Sequence, residues 1–84
     1  MNIYLISEYV KRLKKEDINN FALKQGVTLD KDELDLIYNH VKNDYKTFIY
    51  GNPRPILDDV KMKVKPLTYN KIETLYQQFK DFVK

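Results

Sequence analysis

The stretch from Thr28 to Asn43, TLDKDELDLIYNHVKN, constrains the fold more than any other part of the chain. Asp30 stands before a Lys-Asp-Glu first turn, and Glu33 follows three residues on. That is a capping box with Asp in a position more often held by Ser or Thr. Acids there also meet the positive end of the helix dipole. At about 100° per residue, Leu34, Ile37, Tyr38, Val41 and, if the helix reaches it, Tyr45 fall on one side, while Leu36 and His40 point to another. A helix apolar on two sides is a central one, contacted by several others; otherwise the Leu36 side is where a partner docks.

The rest of the chain supplies those neighbours. Apolar spacing predicts a first helix over residues 2–14, with Ile3, Ile6, Val10 and Leu13 inward. A second short helix over residues 15–25 places Ile18, Phe21, Ala22 and Gln25 on one face, and Gly26 supplies its left-handed stop. Val27 and Leu29 pack under the connection, Leu29 facing Leu34 as a hydrophobic staple. The central helix is expected to end near Asn43. YKTFIY, the six residues after Asp44, is aromatic or β-branched everywhere except Lys46, so residues 44–50 read as an extended or irregular connection.

Gly51, Asn52, Pro53 and Pro55 form the strongest break in the chain. A helix beginning around Pro53 carries Ile56, Leu57, Val60 and Val64 inward. Pro66 closes it, and Thr68 caps a last helix over residues 69–82, with the stripe Ile72, Leu75, Tyr76, Phe79 and Val83. With 84 residues there is no second core to build. The reading is all-α: one helical domain over residues 1–84, an irregular orthogonal bundle of four to five short helices.

Composition narrows the function classes. The chain has no cysteine, which excludes disulfide staples and thiolate zinc sites and fits a reducing cytoplasm. The segment MNIYLISEYV carries Ser7 and Glu8 inside any apolar run and lacks a positive leader, so it does not read as a signal peptide. Ile3 to Leu13 followed by Lys11, Arg12, Lys14 and Lys15 has the makings of an interfacial helix, but the cations gather at one end. They suit a helix C-terminus, and no membrane association is expected.

Catalytic and metal chemistry find little footing. His40 is the one histidine, and the Asp30, Asp32, Glu33 and Asp35 cluster lacks the glycine and spacing of a calcium loop. Two glycines make no phosphate loop. Asp58 and Asp59 are adjacent and diverge by about 100° on a helix. The expectation is a protein that is no enzyme and needs no cofactor.

Two binding readings remain. Ala22, Gly26 and Val27 have the spacing of a helix-turn-helix, yet the second helix would present Asp30, Asp32, Glu33 and Asp35 to phosphates, the wrong sign. A basic alternative lies in Lys61, Lys63, Lys65 and Lys71, with Tyr69 and Arg54 nearby, a nucleic-acid patch on the basic C-terminal half. The preferred reading is a protein-interaction module, self-association included. Its surface would be Leu36, His40, Tyr50 and Arg54, since Tyr and Arg are enriched at binding hot spots. The plainer alternative is that another helix covers Leu36 and that Arg54 pairs with Asp58.

The order of features also carries a resemblance. The short first helix, KEDINNFALKQGVTLDKDELDLIYNHVKN, the Thr47–Phe48 pair, Arg54 and LTYNKIETLYQQF resemble the small YqfT-like family of Bacillus and its relatives, a domain of unknown function. The resemblance spans nearly the whole chain, with Asn43 where a glycine cap is usual and Pro53 and Pro55 flanking Arg54. It implies a cytoplasmic all-helical protein of low-GC Gram-positive bacteria, and no activity, cofactor or catalytic residue.

Overall fold

Five helices follow one another in the computed structural model, which describes residues 2–82: α1 (Ile3–Arg12), α2 (Lys15–Lys24), α3 (Lys31–Tyr50), α4 (Arg54–Lys63) and α5 (Pro66–Phe82). No strand occurs among the described residues. Val83, expected on the last stripe, lies outside them.

Each helix start has a local cause. Asn2 caps α1, its Oδ1 accepting from Tyr4 N–H at 2.9 Å. Asp17 Oδ2 accepts from Lys14 N–H at the start of α2. Asp30 and Glu33 form the expected capping box on α3, with bonds of 2.8 and 3.1 Å. Gly26 sits at φ 79°, the left-handed position that lets the chain turn from α2 into α3.

α3 is the centre, in contact with α1, α2 and α4, while α5 reaches the bundle chiefly through α4. Leu57, Val60 and Tyr69 form a buried cluster on which Leu36, Phe48, Ile56, Val64, Ile72 and Tyr76 pack. At the other end Val10, Leu13, Ala22 and Val27 are buried. Lys42 fastens α1 to α3: its Nζ donates to the carbonyls of Val10 (2.6 Å), which also accepts from Leu13 N–H, and Lys11 (2.9 Å) at the end of α1.

Two boundaries differ from the sequence reading. α3 does not stop near Asn43 but runs on to Tyr50, and residues 44–50 are helix rather than an extended connection. The unfavourable propensities of Tyr45, Thr47, Phe48 and Ile49 amount to about 0.5 kcal/mol each relative to Ala. Packing outweighs them: Phe48 meets Tyr76 edge to face at 5.9 Å, and Tyr45 Oη shares a 2.8 Å hydrogen bond with Ser7 Oγ. The second difference concerns Thr68, which does not cap α5. Pro66 opens that helix, where its fixed φ and missing N–H are suited to a first turn. Thr68 therefore lies inside the first turn, buried, with Oγ1 lacking a hydrogen-bond partner among the described residues.

Candidate functional site

An ionic frame holds the helices before any site is considered. Glu33 is only 2 % exposed. It accepts from the Lys65 backbone N–H at 2.8 Å and from the Lys65 ammonium, so the start of α3 is tied to the α4–α5 connection. Burial pushes the Glu33 carboxyl up, but the hydrogen bonds from Lys65 and Asp30 overcome this and the net shift is downward. The same pairing raises Lys65. On α5, Glu73 accepts from Arg54, Tyr69 and Gln77, at 2.8, 2.6 and 2.9 Å. The Arg54 guanidinium first, then Tyr69 and Gln77, lowers the Glu73 carboxyl to about 2.

The acids that might have formed a metal site are dispersed by this frame. Asp30 caps, Glu33 is buried against Lys65, and Asp35 pairs with Lys15 at 2.7 Å. Among the described residues no group of three or more His, Cys, Asp or Glu side chains is placed to hold a metal ion.

The four residues of the expected interaction surface have different surroundings. Leu36 packs against the Leu57, Val60 and Tyr69 cluster, on the side of α3 that α4 covers. His40 Nδ1 lies 2.8 Å from Asp44, and Nε2 lies 3.7 Å from Asp59 of α4. Arg54 pairs with Glu73 rather than with Asp58, and stands 5.7 Å over the Tyr76 ring. Tyr50, by contrast, is 70 % exposed at the end of α3.

The lysines of the basic patch are also distributed. Lys63 pairs with Asp59 at 3.0 Å, and Lys65 is engaged by Glu33 and Asp30. Lys61 lies over the Tyr69 ring at 5.7 Å. Lys71 faces elsewhere, at the rim of a cleft, and makes no ion pair among the described residues.

That cleft is the feature the sequence reading missed. Because α5 is joined mainly through α4, its stripe is left standing opposite α1 and α2, with α3 as floor. Two open hollows of about 340 Å³ each share Ile37, Val41, Ile72 and Leu75, so they form one continuous groove. One end is walled by Tyr9, Ile18 and Phe21, the other by Tyr45, Phe48 and Phe79. Its lining is almost wholly apolar, with Asp17 on α2 and Lys71 on α5 the charged exceptions. The stripes were legible; that they do not close on each other was not, because spacing reports which face is apolar and not how far apart two faces stand.

Among the described residues no helix is long and apolar enough to cross a membrane. Comparisons with protein-family models, with curated proteins and with solved structures find no match.

Proposed function

We propose that the chain is a non-enzymatic protein-interaction module whose groove receives one amphipathic helix of a partner protein. The carrying observation is the continuous apolar lining across Ile37, Val41, Ile72 and Leu75, open to solvent and bounded by helices on three sides. The open gap between α5 and the α1–α2 side is the place of a further bundle helix, and an incoming helix would use apolar anchors at i, i+3, i+4 and i+7. Lys71, which lines this groove and makes no ion pair among the described residues, sets the chemistry further: the helix carries an acid beside its apolar stripe at that end. The lack of cysteine supports a reducing cytoplasm as its place of work, and kinship with the YqfT-like family rests on the segments quoted above. The nucleic-acid reading is the weaker one, since Lys63 and Lys65 are occupied by acids.

The test is selection from a displayed library of amphipathic helical peptides. Enriched binders are expected to carry an acid flanking the apolar stripe. They should lose affinity at least tenfold against Leu75→Glu, with the helical circular dichroism of the variant unchanged. Failure to enrich any peptide, or binders indifferent to Leu75→Glu, contradicts the reading.

A further inference from the structure

α1 and α2 meet at the Leu13–Lys14 corner and diverge, and their outer sides carry a second patch, which borders the groove and shares Tyr9, Leu13, Asp17 and Phe21 with its wall. Its apolar centre is Leu5, Tyr9 and Phe21, which are 66 %, 67 % and 51 % exposed. Around that centre stand two acids and two cations. Read from the free end of each helix toward the corner, α1 offers Glu8 then Arg12, and α2 offers Lys24 then Asp17. The two arms therefore present opposite charge orders.

We propose that this patch binds a second copy of the same chain, α1 of each copy lying along α2 of the other about a two-fold axis near the corner. The proposal rests on reading the chain as an interaction module and names a different partner, seated on a surface that adjoins the groove along Tyr9 and Phe21. In this arrangement Glu8 meets Lys24 of the second copy and Arg12 meets its Asp17, each pair made twice by symmetry. The spacing of the charges is four residues on α1 and seven on α2, about 6 and 10 Å of helix rise, a mismatch the long Arg and Lys side chains span. Arg12 and Lys24 make no ion pair among the described residues, and Glu8 has only an exposed contact with Lys11 at 3.5 Å. Tyr9 and Phe21 then face each other across the interface, large rings of the kind that anchor such contacts. A stable interface takes about 800 Å² from each partner, an eighth or so of the 5991 Å² this chain exposes, which the outer faces of two ten-residue helices can furnish.

The experiment is sedimentation equilibrium of the full chain and of two charge-reversed variants. One reverses the charge on α1 (Glu8→Lys) and the other that on α2 (Lys24→Glu), which leaves the Asp17 cap of α2 in place. The wild-type chain is expected to dimerise, and each variant alone to dimerise at least tenfold more weakly with unchanged helical circular dichroism. An equimolar mixture of the two variants should recover the dimer, because reversed α1 then meets reversed α2 and native α1 meets native α2. A wild-type chain that stays monomeric at hundreds of micromolar overturns the proposal. So do variants that dimerise like the wild type, or a mixture that does not recover. A monomer that still binds helical peptides in the groove removes the dimer and leaves the groove reading intact.

Discussion

At the level of single residues, the acids of this chain do more than the sequence assigns them. Glu33 was legible as a cap partner of Asp30, and it is one, but the same carboxylate also holds Lys65 from 32 positions along the chain. No local pattern encodes that second role, because a capping box looks the same whether its Glu faces water or a neighbouring connection. Nothing in the sequence singled out Glu73, yet it gathers Arg54, Tyr69 and Gln77. Its carboxyl titrates near 2 in the folded chain against an ordinary 4.5. Between those values the folded carboxyl stays ionised while the unfolded one takes up a proton, so its contribution is present at neutral pH and is lost as pH falls through this window. Glu33 acts in the same direction. Thermal melts from pH 7 to 2 should show stability falling below about pH 4.5, with a shallower fall and a lower neutral-pH melting temperature in Glu73→Gln. Thr68 makes the opposite case. Its buried hydroxyl has no partner among the described residues, so Thr68→Val, which keeps the shape and removes the polar atom, should leave stability unchanged or raise it by about 1 kcal/mol in urea unfolding.

At the level of the helix, the stripes on α1, α2, α4 and α5 were legible because period and breakers agree with the structure over most of their length. Gly26 and the Pro53–Pro55 break fall where local backbone chemistry requires a turn. The end of α3 was not legible, since propensity and packing point in opposite directions over residues 44–50 and only the folded neighbours decide between them. Tyr76 and Ser7, which hold Phe48 and Tyr45, lie far away in sequence. Native-state hydrogen exchange should therefore find protected amides continuing past Asn43 to the Gly51 N–H, which donates to Thr47 at 2.9 Å. Phe48→Ala should cost about 2–3 kcal/mol, less than a fully buried ring because Phe48 is only half-buried, and should lose that protection first over the last two turns of α3. Exchange that becomes fast directly after Asn43 in the wild-type chain would restore the shorter helix.

At the level of the whole molecule, the consequence is a bundle whose fifth helix is attached at one side. Leu57, Val60 and Tyr69 join α4 to α5, and Arg54–Glu73 and Glu33–Lys65 fix that joint. Ile72 reaches from that joint into the groove, and Leu75 and Phe79 line it beyond, facing the other helices. The sequence placed the interaction surface on Leu36, His40, Tyr50 and Arg54 from residue type and position. The structure also brings together, in the groove, residues that each looked like ordinary core. The central claim is that this groove is the binding surface, and methyl-resolved NMR of the labelled chain, titrated with a selected helical peptide, tests it most directly. Shifts are expected at Ile37, Val41, Ile72 and Leu75, with Met62, 86 % exposed and outside the groove lining, unmoved. Saturable shifts at Met62 with the groove methyls unchanged would contradict it.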